Sequence, residues 1–202
     1  MNKTWGIVIG IGAVLLLLGM WVFGSYNSLV NGRENVRASV NNLQSQYQRR
    51  SDLVPNLVNT VKGAANFEQT TLNQVVEARA KATQTTIDPS KMTSEQLQQF
   101  NSAQGELSSA LSRLLVVVEQ YPELKATEAY RDLITQLEGT ENRIQVARAD
   151  YGTAARDYNV KTQTFPTNII AGMFGFTSFP YFEADDGAET APTVDFETQP
   201  AQ

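Results

Sequence analysis

Four charged residues stand on or beside the apolar seams of this chain: Arg50, Glu119, Glu141 and Arg148. A charge at such a position must find a partner or leave the core, because an unpaired buried charge is costly. Arg50 is expected to pair with a carboxylate from another helix, with Glu119 and Glu141 as candidates, and a pair of that kind fixes helix register. The functional alternative is a polar site inside the bundle that binds a metal or a small anion. Di-metal bundles use Glu-x-x-His pairs, and the chain has no histidine, so an iron or manganese centre is rejected. With no cysteine either, disulfides, thiol nucleophiles, thiolate zinc sites and an acylated lipoprotein anchor are excluded together. A Ser or Thr with Lys can in principle form a dyad. No Gly-x-Ser-x-Gly, Ser-x-x-Lys or phosphate loop occurs, however. The chain therefore reads as no enzyme, with no cofactor and no small-molecule substrate.

Asp52, Pro55 and Asn56 form the most unusual polar stretch. Pro55 leaves the backbone carbonyl of Ser51 without its helical donor, and neighbouring polar side chains can satisfy the freed group. A partner-binding kink is the sharper alternative.

The elements that must carry these residues are helices. A first heptad series reads Val36, Val40, Leu43, Tyr47, Arg50, Val54, Leu57, Val61, with spacings alternating four and three. Its phase survives Pro55, which leaves either one kinked helix or two meeting at a Pro-initiated turn. Gly63 can end it, and Asn66 with Gln69 offers a capping box for a second helix through Leu72, Val75, Val76 and Arg79 to about Ala82. A polar loop containing Asp88-Pro89 follows. Thr93 or Ser94 can cap a third helix with the seam Leu97, Phe100, Gln104, Leu107, Leu111, Leu114, Val118, Tyr121. Pro122 and Glu123 suit a helix start, and one helix of roughly 40 residues, about 60 Å, is expected from there along Tyr130, Leu133, Leu137, Thr140, Ile144, Ala147, Tyr151, Ala154 and Tyr158. Strand-like alternation is missing. Helices with one apolar face bury it only against each other, so the fold class is all-α, an elongated antiparallel up-and-down bundle of four-helix type.

Ahead of the bundle, an uncharged apolar run extends from Gly6 to Phe23, long enough to cross a bilayer. Trp5, Trp21 and Tyr26 lie where rings favour the headgroup region. The run is longer than a signal-peptide core, has no Ala-x-Ala site and only a weak one at Val22-Phe23-Gly24, so it reads as a retained transmembrane anchor. Gly6 and Gly10 form a small-xxx-small pair that would let two anchors pack closely. Lys3 precedes the run and no charge follows it until Arg33. That asymmetry favours an N-terminus inside and a bundle outside the cytoplasm, although Arg33, Arg37, Arg49 and Arg50 pull the other way.

After the bundle, Phe165 to Phe182 is uncharged and holds two prolines, two glycines and six Phe or Tyr. It is too short and broken to span a membrane. One reading is a hook that folds back on the bundle; the other is an aromatic patch for lipid or a neighbouring subunit, carried by Phe165, Pro166, Phe174, Phe176, Phe179 and Tyr181. Glu183, Asp185, Asp186, Glu189, Asp195 and Glu197 give the last segment six negative charges and no positive ones, within a net charge of −5 for the whole chain. The body is thus near neutral without a basic stripe, which argues against nucleic-acid binding, and the tail is expected to be disordered. The expected organisation is an anchor at 1–26, a bundle at 27–164, a hook at 165–182 and an acidic tail at 183–202.

Five motifs in order resemble the LemA family of bacterial membrane proteins. They are Tyr26-Asn27-Ser28-Leu29-Val30, the run Gln48 to Gly63, Glu119-Gln120-Tyr121-Pro122-Glu123-Leu124-Lys125-Ala126, Thr140-Glu141-Asn142-Arg143-Ile144 to Ala147-Arg148, and Phe165-Pro166. The resemblance covers about residues 1–182 and departs from the family pattern at Gly152, where a Tyr-Asn pair is common. It implies a single-pass anchor and a helical bundle, and it brings no activity. The sequence therefore points to a non-enzymatic scaffold of the bacterial inner membrane whose helices dock protein partners or copies of itself. The alternative is a membrane-remodelling or envelope-stress oligomer that engages lipid through anchor and hook.

Overall fold

The structure, a computed structural model, describes residues 3–63 and 67–182. Among these are six helices: α1 Lys3–Lys62, α2 Gln69–Gln84, α3 Ser94–Val118, α4 Pro122–Lys125, α5 Glu128–Gln163 and α6 Thr167–Met173. No strand occurs among the described residues. The tail beyond residue 182 and the expected N-cap Asn66 lie outside them.

α1 is one helix of 60 residues with Pro55 inside it, about 90 Å long at 1.5 Å per residue. Its N-terminal part is a candidate membrane span, apolar and unburied. The same helix then enters the bundle, where every residue of the first seam from Val36 to Val61 is buried. One continuous helix therefore carries both the candidate span and a core helix of the bundle.

The other starts follow their local chemistry. Thr93 caps α3 with a full capping box, its hydroxyl accepting from the Gln96 amide and the Gln96 side chain from the Thr93 amide. α2 differs from expectation: Glu68 holds the cap position without a side-chain bond, and Gln69 instead donates to Asn73 at 3.0 Å. The expected helix from Pro122 is also two pieces. α4 is a single turn, and Thr127 caps α5 by accepting from the Tyr130 amide. Leu124 and Tyr130 both belong to the core, yet residues six apart on a straight helix lie about 240° apart around its axis. The break at Ala126–Thr127 lets both face inward.

Cross-links between helices set an up-down-up-down order. Gln44 donates to the Ile87 carbonyl at 2.5 Å and Ser51 bonds Thr83 at 2.8 Å, so α2 runs back along α1. Tyr47 meets Phe100 with ring centroids 5.1 Å apart, and further along Phe67 meets Tyr121 at 5.1 Å, so α3 climbs again. α5 returns along α1: Arg50 faces Glu141 and Gly32 lies against the Tyr158 ring, whose Cδ2 would stand 3.1 Å from a Cβ at that glycine. Those two pairs are separated by 18 residues on α1 and 17 on α5. The helices thus stay in antiparallel register, and the end of α5 at Gln163 comes level with about Asn27.

The core falls into two apolar clusters. One runs from Leu29 to Tyr47 on α1 with Ile87, Phe100 and Ile144 to Tyr158. The other begins at Val54 and includes Ala82, Leu107 and Tyr130. α1, α3 and α5 cross from one to the other at the level of Arg50, Ser51, Gln104 and Thr140, which are the buried polar residues of mid-bundle, while α2 packs in the second.

Candidate functional site

Arg50 occupies the centre of that polar layer with 2% of its surface exposed. One guanidinium nitrogen donates to Ser108 Oγ at 2.7 Å and to Glu141 Oε2 at 3.1 Å. The other donates to the Gln104 carbonyl at 3.0 Å and to its side-chain oxygen at 2.8 Å. The Gln104 amide then donates to the Ala82 carbonyl at 3.1 Å. A single side chain of α1 is thereby tied to α3 and α5, and through Gln104 to the end of α2. The guanidinium carbon also lies 5.1 Å from the centroid of Tyr47, a cation–π distance.

Of the two expected carboxylates, Glu141 is the partner and Glu119 is not. Glu119 is the C-cap residue of α3 and binds Lys125 at 2.5 Å. It stands 15 residues beyond Gln104, about 22 Å along the helix, out of reach of Arg50. Glu141 keeps 46% of its side chain exposed, so the carboxylate retains water while neutralising the buried cation. Arg148 is drawn to the hook, its guanidinium carbon 4.6 Å from the centroid of Phe182.

Tyr47, Arg50, Asn101, Ser108, Glu141 and Arg148 line a cleft of about 430 Å³. Burial pushes the Tyr47 phenol above its ordinary value, against the opposing fields of Arg148 and Arg50, so it stays protonated at neutral pH. No group of three metal-ligating side chains gathers among the described residues. The cleft sets two guanidinium groups, Arg50 and Arg148, against one carboxylate, Glu141.

Around Pro55 the freed backbone group is satisfied from another helix. Arg79 Nε donates to the Ser51 carbonyl at 2.8 Å. Gln48 donates to Asp52 at 2.7 Å, and both Asp52 and Asn56 face solvent. Gln48, Ser51, Asp52 and Asn56 line a groove of about 840 Å³ with Asn41, Gln44 and Thr83. α1 remains helical through this segment.

The hook folds back onto the bundle. α6 buries Ile170 and Ala171, and its chain reverses at Gly175, whose φ of +70° favours glycine. Phe176 is consequently buried and Phe174 exposed, so of the two readings of this segment the fold-back is seen and the two rings do not form one exposed patch. Beyond the turn, the Asn159 side chain donates to the Phe179 carbonyl and accepts from the Phe179 amide, both at 2.8 Å. The Tyr151 hydroxyl donates to the Pro180 carbonyl, and Tyr158 meets the Phe179 ring at 5.2 Å. Pro166 and Phe179 are half-buried, while Phe165 and Tyr181 remain exposed. On the candidate span, Gly6 and Gly10 have open space beside them.

The LemA family model matches residues 39–196. The chain belongs to the LemA family. Magnetosome protein MamQ 2 of Paramagnetospirillum magneticum is 29% identical over 182 residues, covering 82% of this chain and 67% of the relative. MamQ of Magnetospirillum gryphiswaldense is 27% identical with the same coverage. Protein LemA of Metamycoplasma hominis is 26% identical over 175 residues, covering 85% of this chain and 76% of the relative. In this LemA-family bundle the run from Gln48 to Gly63 is where the polar layer and the Arg79 contact are built. Gln104, Ser108, Arg79 and Asn159 were not singled out as binding groups by the sequence. Gln104 had a signal, an amide in a seam slot level with an arginine; the others are polar residues whose role only tertiary packing assigns.

Proposed function

We propose that this LemA-family chain is a non-enzymatic scaffold of the bacterial inner membrane, with its bundle held outside the cytoplasm to dock proteins or copies of itself. The observation that carries this reading is α1, a single helix that runs from the candidate span into the core without a break. A rod of that kind holds the bundle at a fixed angle and distance from the bilayer. Confinement to a surface then raises the effective concentration of whatever the bundle faces meet. The orientation is supported by Lys3 ahead of the span and the uncharged stretch behind it.

The non-enzymatic part is supported by how the charged groups are used. The two terminal guanidinium nitrogens of Arg50 make four acceptor contacts to Ser108, Glu141 and Gln104, Glu119 pairs with Lys125, and Arg148 lies over the Phe182 ring. Sequence similarity to relatives named both LemA and MamQ fits a scaffold kept constant while its partners differ. Photo-crosslinking in cells tests the docking. With p-benzoylphenylalanine at exposed Val76, Val116 or Val146, discrete adducts with one protein or with a second copy are expected at one face. An absence of adducts at all three positions would contradict the proposal.

A further inference from the structure

Beyond residue 23, the exposed large apolar side chains among the described residues are Val76, Val116, Val146, Val160, Phe165, Ile169, Met173, Phe174 and Tyr181. The valines are scattered singly, as on any surface. The other five sit in the hook, a segment of 18 residues without a charge. Phe165, Ile169, Met173 and Phe174 are respectively 75%, 51%, 73% and 54% exposed. Ile169 and Met173 are four residues apart on α6 and share one face.

Position decides what such a patch meets. Tyr26 packs edge-on against Phe174 with centroids 5.0 Å apart and against Phe176 at 5.6 Å. Tyr26 lies three residues past Phe23, the last residue of the apolar run, hence about 4.5 Å further along the axis. Val22, inside the run, also packs against the cluster that contains Phe176. The register of α5 against α1 places residue 165 at the same depth. On the side away from the apolar run, the Arg33 guanidinium lies 5.0 Å from the Phe176 centroid. Apolar side chains below and a cation above are the arrangement of a segment lying in a membrane interface.

We propose that the hook is a second membrane contact, with Phe165, Ile169, Met173 and Phe174 inserted at the headgroup–acyl boundary of the bilayer that α1 spans. The occupant of the patch is lipid, because the patch is continuous with the span and at its edge. It rests on the span reading of α1, and the test separates the two. The full chain, which has no native cysteine, is labelled with an environment-sensitive fluorophore at Met173→Cys, Leu16→Cys or Val146→Cys. Each labelled chain is reconstituted in phosphatidylcholine vesicles carrying shallow spin-labelled lipid and, for residue 16 near the middle of the apolar run, in a second set carrying deep spin-labelled lipid. Quenching at residue 173 several-fold stronger than at 146, and unchanged on dilution in lipid, is the expected result. Quenching at 16 with residue 173 no better quenched than 146 overturns the hook proposal and leaves the anchor standing. A shielded but unquenched 173 label that becomes exposed on dilution means a second copy covers the patch, which also overturns it. No quenching at 16 overturns the span and the hook contact with it.

Discussion

Arg79 Nε donates to the carbonyl of Ser51 at 2.8 Å, supplying the hydrogen bond that Pro55, four residues on in α1, cannot give. The proline therefore costs the helix a donor without costing the carbonyl its partner, and α2 is fastened to α1 at that point. Arg79→Ala is expected to lower stability by about 1–3 kcal/mol, the penalty for an unsatisfied buried acceptor. Pro55→Ala restores an N–H at that position, so adding it to Arg79→Ala should recover part of the loss. Denaturant unfolding of the four chains of this double-mutant cycle in detergent measures the coupling. Strict additivity would show that Arg79 is not the substitute donor.

The polar layer makes a second prediction. Arg50→Ala removes the donor for Gln104 and opens a cavity, and is expected to cost about 3–5 kcal/mol. Arg50→Met with Gln104→Leu replaces the pair by apolar side chains of similar reach and should regain most of that stability. Glu141→Gln should cost only about 1 kcal/mol, because Glu141 is half in water and solvent screens what is lost. Thermal unfolding of the three variants tests the order.

Alkaline pH should release the hook. Tyr151 is buried and donates to the Pro180 carbonyl, and its pKa is raised above 10.0 chiefly by burial and further by Tyr181. A raised phenol pKa means that the folded chain holds its proton longer than the unfolded one. This contribution to stability is complete below pH 10 and declines as pH rises through the folded value. The alkaline unfolding midpoint should move upward in Tyr151→Phe, at a cost of about 1 kcal/mol at neutral pH for the lost bond. Far-ultraviolet circular dichroism against pH checks both effects.

Much of this fold was legible because heptad spacing is a direct statement of which face is buried. The whole seam from Val36 to Val61 is in the core, including the charged member Arg50. The break before α5 was not legible, since Pro122 and Glu123 begin a one-turn helix as well as a long one and the decision falls to where Leu124 and Tyr130 must point. The choice of Glu141 over Glu119 depends on helix lengths and register, which no local motif contains. Phe174 and Phe176 look equivalent in sequence; the left-handed turn at Gly175 between them sends one outward and the other into the core.

In the proposed topology α1 crosses the membrane and carries the bundle to its outer side. A single cysteine at exposed Val146 on α5, in a chain otherwise free of cysteine, tests it in intact spheroplasts with a maleimide that cannot cross the inner membrane. Labelling without lysis, on protein that stays with the membrane through alkaline carbonate washing, is the predicted result. Protection until lysis would place the bundle in the cytoplasm, and release into the wash would remove the span; either contradicts the account.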